Sequence, residues 1–135
     1  GDRMERTFIM IKPDGVERKL LGEIISRIEK KGFRIIRAKL FQPDRELVEE
    51  HYIEHKDKPF FEEIVEYITR GSVMAMEVEG DSAIEMMRNM IGATDPKKAL
   101  PGTIRGDFAY SISENIIHGS DSKESAKREL KLWFG

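Results

Sequence analysis

Asn115-Ile116-Ile117-His118-Gly119-Ser120-Asp121 sets two β-branched residues ahead of a histidine and places three small or polar ones after it. Ile116 and Ile117 favour a short strand ending at His118, and small and polar residues follow at once, so the imidazole reads as exposed and positioned at the end of an element. Such a histidine either hydrogen-bonds within a turn or performs chemistry. Its neighbours favour chemistry. Asn115, Ser120, Asp121 and, two turns into the next helix, Glu129 can all lie near it, and a carboxylate that fixes the tautomer is what a nucleophilic or acid–base histidine needs.

On the C-terminal side, Asp121 with Glu124 reads as the cap of a last helix that turns Ala126, Leu130 and Trp133 toward the core. On the N-terminal side lies an irregular stretch from Ala93 to about Asp107, carrying Pro96, Pro101, Gly102 and Gly106; a loop of that length in a compact domain is usually functional. Before it, Ser82 with Glu85 forms a capping box for a helix bearing Ile84, Met87 and Ile91 on one side and ending near Gly92. Ser72 to Glu79 reads as a strand. Pro59 opens a helix with Phe61, Ile64, Val65 and Ile68 on its apolar face, and Asp44 caps a shorter one running through His55. A further strand alternates Ile36, Ala38 and Leu40 with Arg37 and Lys39. Leu20, Leu21, Ile24, Ile25 and Ile28 keep helical spacing up to Gly32, a C-terminal cap. Thr7 to Ile11 is apolar at almost every position, as in a strand covered on both faces, and Lys12-Pro13-Asp14-Gly15 ends it in a turn. The order β-α-β, helical pair, β-α-β-α fits a split βαβ sandwich with antiparallel strands or a small doubly wound parallel sheet.

A length of 135 residues suits one domain over residues 1–135, with Gly1, Asp2 and Arg3 an appended remnant before a start at Met4. The net charge of -2 gives no field for gathering nucleic acid, so any anion site is local, built by converging cations. No apolar run is long enough for a bilayer and no secretory signal is visible; the expected location is cytoplasmic, without membrane or nucleic-acid partners. Zero cysteines exclude disulfides and thiolate chemistry and leave covalent work to His, Ser, Thr, Lys or a carboxylate.

Lys12, Arg88 and Arg105 lie at element ends or in the long loop, where with Thr94 they can bind phosphates. The chain has no G-x-x-x-x-G-K-[ST] or G-x-G-x-x-G pattern and no protein-kinase H-R-D or D-F-G element. His51 and His55, four apart on the expected helix, invite a zinc reading with Glu54, but Tyr52 comes after His51 where the zinc-protease pattern needs Glu. Phe60, outside the apolar stripe of its helix, offers a stacking surface.

In order and spacing, Lys12-Pro-Asp-Gly15, Pro101-Gly-Thr-Ile-Arg-Gly-Asp107 and Asn115-Ile-Ile-His-Gly-Ser-Asp121 closely resemble the nucleoside diphosphate kinases, from about Glu5 to Phe134. The resemblance implies an α+β fold: a ferredoxin-like split βαβ sandwich, a four-stranded antiparallel sheet with helices, and a helical hairpin inserted between strands 2 and 3. It implies transfer of the γ-phosphate of a nucleoside triphosphate, ATP as donor, to a nucleoside diphosphate through a phosphohistidine at His118, with ping-pong kinetics.

By the same resemblance Glu129 and Ser120 orient the ring, and Lys12, Tyr52, Arg88, Thr94 and Arg105 hold phosphates. Lys12 and Asn115 reach the sugar 3′-hydroxyl, and Phe60 stacks on the base with Ile112 opposite and Ile64 nearby. Stacking of that kind accepts any base. Mg²⁺ is expected to arrive with the nucleotide and to touch Asp121 through water. A homo-oligomer is implied, hexamer first and tetramer second. A catalytically silent nucleotide-binding module on the same fold is the rival reading, and the presence of both His118 and Glu129 argues against it.

Overall fold

Phe8, Ile9, Met10 and Ile11 are all fully buried, and strand alternation sends Phe8 and Met10 to one face of a sheet and Ile9 and Ile11 to the other. They belong to β1 (Met4–Ile11), which pairs antiparallel with β3 (Val73–Asp81) on one side and β4 (Ile117–Gly119) on the other. β2 (Arg34–Phe41) completes the sheet by pairing antiparallel with β3, in the order β2-β3-β1-β4. No two neighbours run parallel, which excludes the doubly wound alternative and gives the split βαβ arrangement. The computed structural model describes residues 3–135, so Gly1 and Asp2 of the expected remnant lie outside the described residues.

Over the face of Ile9 and Ile11 pack α2 (Leu21–Lys31), α5 (Ala83–Ile91) and the short α6 (Ile104–Phe108), burying Ile24, Ile28, Met87, Ile91 and Ile104. The face of Phe8 and Met10 is covered by α3 (Arg45–His51), α4 (Phe61–Thr69) and α7 (Lys123–Phe134), with Val48, Val65, Ile68 and Trp133 between. α3 and α4 are the helical hairpin expected between strands 2 and 3. A one-turn-and-a-half α1 (Pro13–Glu17) comes directly after β1, with Pro13 in its first turn, where a missing N–H costs nothing. Among the described residues no helix is long and apolar enough to cross a membrane.

Several local expectations change. The helix capped by Asp44 stops at His51, and Ile53–His55 forms a separate 3-10 turn, so His51 and His55 do not share one helical face. The helix after Pro59 begins only at Phe61. Ser82 makes no cap bond: it has φ +51, and the Ile84 N–H is taken by the Glu5 carboxylate of β1 instead. α7 is capped by Ser122, whose hydroxyl accepts from the Ser125 N–H, rather than by Asp121. β2 breaks register between Ile35 and Arg37, and Ala38 and Leu40 are left exposed, so its alternation does not describe a surface covered by this chain. α6 occupies the end of the stretch read as irregular, and α1 the segment read as a turn.

Candidate active site

Because β4 runs antiparallel to β1, its start lies beside the end of β1, and the turn after Ile11 meets the segment leading to His118. The Lys12 N–H donates to the Ile116 carbonyl at 2.7 Å, and the Lys12 Nζ to Asn115 Oδ1 at 2.8 Å. Ile116 has φ +76, a conformation that costs a β-branched residue roughly 1–3 kcal/mol. Neighbours hold it there. Its N–H donates to Asp14 Oδ2 at 3.1 Å, and the other Asp14 oxygen accepts from the Tyr67 hydroxyl. Gly15 makes room: a Cβ there would stand 2.7 Å from Ile11 Cγ2 and 3.2 Å from the Ile116 carbonyl oxygen.

Opposite Met10 in the ladder, His118 takes the face of Phe8 and Met10, where α3 and α7 cross. Its ring lies 5.9 Å from that of Phe8 and 4.8 Å from that of His51. His118 Nε2 is 2.8 Å from Glu129 Oε1, and the Ser120 hydroxyl donates to the same oxygen at 2.7 Å. Glu129 and Ser120 are buried, so the carboxylate meets these partners rather than water. An ionised carboxylate only accepts, which puts the ring proton on Nε2 and leaves Nδ1 with a free lone pair. The donor atoms of His51, His118 and Glu129 lie within 4.8 Å of one another, yet His51 Nδ1 is already taken by the Trp133 N–H at 2.8 Å. His51 therefore has its ring among α7 side chains while His55 stacks near Phe60, and the zinc reading with Glu54 loses its shared face.

Three cations face the same space. Lys12 is lowered to about 7, chiefly by burial and then by repulsion from Arg105, with Asp14 opposing. Arg105, buried, is lowered to about 10 by burial and then by Arg88, and stays cationic at neutral pH. Its fork donates to the carbonyls of Asn115 at 3.3 Å, Gly92 at 3.2 Å and Ile117 at 2.6 Å. Arg88 donates to the Gly119 carbonyl at 3.1 Å. Positive charges gathered this closely repel one another, a cost that an anionic ligand removes. Burial raises the Tyr52 phenol well above its usual range and keeps it a neutral donor. The Asp121 carboxyl is held low, first by the Ser125 hydroxyl and also by Arg88, so it is ionised. Of the carboxylates lining this space, Glu129 is engaged by His118 and Ser120 and Asp121 stands near Arg88, a donor set that suits a divalent ion bringing its own phosphate ligands and water, as Mg²⁺ does with a nucleotide.

Two adjoining clefts hold nearly all the residues singled out from the sequence. The smaller, about 410 Å³, is lined by Lys12, Tyr52, Arg88, Thr94, Arg105, Asn115, His118, Asp121 and Glu129 among others. The wider, about 780 Å³, shares Lys12, Tyr52, Thr94 and Asn115 with it and adds Phe60, Ile64 and Ile112. Phe60 and Ile112 are 42% and 59% exposed, unusual for large apolar side chains unless something flat covers them. Ser120 sits behind Glu129 rather than in the cleft. Sequence reasoning misses two contributors: it meets His51 only as a metal ligand and Asp14 only as part of a turn. A buried polar residue at a helix end and an acid after a strand carry no distinctive local signal.

A sequence model described as nucleoside diphosphate kinase matches residues 5–135. The nucleoside diphosphate kinase of Symbiobacterium thermophilum is 58% identical over 132 residues, covering 98% of this chain and 88% of that protein. That of Exiguobacterium sibiricum is 61% identical over 131 residues, 97% of this chain and 95% of the relative. Among solved structures, the nucleoside diphosphate kinase of Encephalitozoon cuniculi superposes with a TM-score of 0.95 at 49% identity, over 97% of this chain and 89% of that one. A halophilic nucleoside diphosphate kinase from Halobacterium salinarum, solved with CDP, gives 0.94 at 49% identity, over 96% of this chain and 87% of the other. Matched over nearly its whole length in sequence and fold, this chain belongs to the nucleoside diphosphate kinase family and catalyses phosphoryl transfer from a nucleoside triphosphate to a nucleoside diphosphate.

Proposed function

We propose that His118 Nδ1 is the atom that carries the phosphoryl group between the two nucleotides. The observation that supports this reading is the 2.8 Å contact of His118 Nε2 with Glu129 Oε1, which leaves Nδ1 free and neutral. The Nδ1 lone pair attacks the γ-phosphorus, the bond to the β–γ bridging oxygen breaks, and the nucleoside diphosphate leaves with the electron pair. The ring, now bonded to phosphorus and still protonated on Nε2, is positive, and Glu129 neutralises that charge through the bond it already makes. In the second half a β-phosphate oxygen of the incoming diphosphate attacks the same phosphorus and returns the lone pair to Nδ1.

Lys12, Arg88 and Arg105 hold the phosphates in line and meet the charge of a loose transition state, to which a protein contributes mainly positioning and electrostatics. Tyr52 and Thr94 add neutral donors, and Asn115 joins Lys12 at the sugar 3′-hydroxyl. Phe60, Ile112 and Ile64 receive the base. Asp121 is the side chain that would hold, through water, a Mg²⁺ delivered with the nucleotide, and the ion would supply neutralisation of phosphate charge.

The donor is ATP, the location is the cytoplasm, and the chain works as a homo-oligomer, a hexamer ahead of a tetramer. The exposed Ala38 and Leu40 on edge strand β2 support self-association, which native mass spectrometry measures directly. For the mechanism, the test is intact mass after incubation with Mg-ATP and no acceptor. One phosphoryl group per chain is expected, labile in acid and stable in alkali as a phosphoramidate, and discharged by any added nucleoside diphosphate. His118→Asn should fold and bind nucleotide without labelling, and Glu129→Gln should label slowly. Normal labelling of His118→Asn would overturn the assignment.

A further inference from the structure

Glu129 receives both of its hydrogen bonds on one oxygen, Oε1, from His118 Nε2 and from Ser120 Oγ. A carboxylate held that way can still turn about its terminal torsion, which is broad, and turning carries the acceptor off the imidazole. The group facing the other oxygen is His51, whose Nε2 lies 3.9 Å from Oε2. His51 is the last residue of α3 and is buried. Trp133 Nε1–H donates to its Nδ1 at 2.8 Å. An indole N–H only donates, so Nδ1 is the bare nitrogen and the ring proton of a neutral His51 is on Nε2, aimed at Glu129. Glu129 and Trp133 stand one turn apart on α7, so a single helix face bonds the ring at Nδ1 and sets a carboxylate before Nε2. Arg128 on the same helix donates to the His51 and Glu50 carbonyls and ties down the end of α3.

We propose that His51 is a positioning residue for phosphoryl transfer: Trp133 sets its tautomer, and its Nε2–H dipole holds Glu129 with Oε1 on His118. The inference rests on the reading of His118 as nucleophile. A separation of 3.9 Å is a charge–dipole contact and not a hydrogen bond, so its effect is on which way the carboxylate faces. The device needs a neutral ring, since a cationic His51 would compete with His118 for Glu129. Burial pushes His51 well below the ordinary imidazole range, and His118, Arg128 and Lys12 add repulsion in that order. His51 lies outside the cleft where the base stacks but lines the phosphate cleft, so its loss should leave base recognition alone and act on the transfer step more than on KM.

Two substitutions each keep one half of the ring's bonding. In His51→Asn the side-chain oxygen replaces Nδ1 and still accepts from Trp133, but nothing faces Glu129. His51→Gln sets an amide N–H where Nε2 stood and gives up the Trp133 bond. Steady-state kinetics and the rate of labelling by Mg-ATP are measured for both, with thermal unfolding alongside. Positioning predicts that His51→Asn loses about tenfold or more in kcat with KM changed less than about twofold, and that His51→Gln recovers most of the rate although it is the less stable protein. Trp133→Phe, which keeps the ring against Phe8 and removes only the donor, should also lower kcat at unchanged KM. A purely structural role predicts the reverse order, with activity tracking stability and His51→Asn the better enzyme. That order, or wild-type kcat in His51→Asn or in Trp133→Phe, overturns the proposal. If the wild-type protein itself does not label at His118, it is the parent reading that fails.

Discussion

Replacing Arg105 by Ala should damage the fold as well as the chemistry, and the structure says by how much. Ile117 lies opposite Ile11, and because the Lys12 N–H bonds the Ile116 carbonyl, the Ile117 carbonyl turns outward from β1. β4 is an edge strand, and Arg105 Nη2 at 2.6 Å is what meets that carbonyl. The Gly92 carbonyl loses a donor too, whereas the Asn115 carbonyl keeps the Ile117 N–H at 2.8 Å. A hydrogen bond to a charged donor contributes about 1.5–3 kcal/mol, and water can reach the loop carbonyl of Gly92 more easily than that of Ile117. Removing a buried guanidinium repelled by Arg88 offsets part of the loss. The net destabilisation should be about 2–4 kcal/mol, or roughly 6–16 °C in Tm for a chain of this size. Calorimetry at matched protein concentration reads the shift. Arg88→Ala, which removes one carbonyl bond, should move Tm much less. Arg105→Ala should also lower kcat more than it raises KM, beyond what any unfolded fraction explains. A Tm within about 2 °C of wild type would show that the edge carbonyl does not depend on Arg105, and near-normal kcat would remove it from the phosphate site.

Nucleotide binding should take up a proton at Lys12. Its amine is lowered to about 7 in the free protein, and phosphates favour the charged form, so affinity is full below that value and falls about tenfold per pH unit above it. At one unit above, uptake should approach about 0.9 proton per site, measurable by titration calorimetry in buffers of different ionisation enthalpy, while a flat affinity across roughly pH 6.5 to 8.5 would contradict it. Phe60→Ala should raise KM for purine and pyrimidine nucleotides alike, by about 1–3 kcal/mol of lost stacking, less if Ile112 supplies most of the contact. A loss confined to one base class would mean that Phe60 reads hydrogen-bonding edges through the backbone it positions, not stacking.

Much of this protein is legible in its sequence. The stretch Thr7–Ile11, apolar at every position after Thr7, announces a strand covered on both faces, and Phe8, Ile9, Met10 and Ile11 are fully buried between the two helical layers. The spacing of Ile24 and Ile28, of Val65 and Ile68, and of Met87 and Ile91 marks the buried faces of α2, α4 and α5, because a helix's inward stripe is a local, periodic property. Local pattern does not choose between parallel and antiparallel sheets, since strand order depends on which strands meet and not on any one of them; the motif resemblance supplies that choice, and the β2-β3-β1-β4 ladder agrees with it.

What only the tertiary structure decides are relations between residues far apart in the chain. Ser82 looks like a helix cap, yet the Ile84 N–H is taken by Glu5, 79 positions before Ile84. Ile116 reads as an ordinary strand residue, and its left-handed conformation is imposed by Asp14 and Gly15 from the other side of the sheet's end. His118 and Glu129 are visible as partners because they stand 11 apart on adjoining elements. His51 is not. Its bond to Trp133 spans 82 positions and exists only because α3 and α7 pack on the same face of the sheet, a juxtaposition set by burying Phe8 and Met10 and not by any spacing in the sequence.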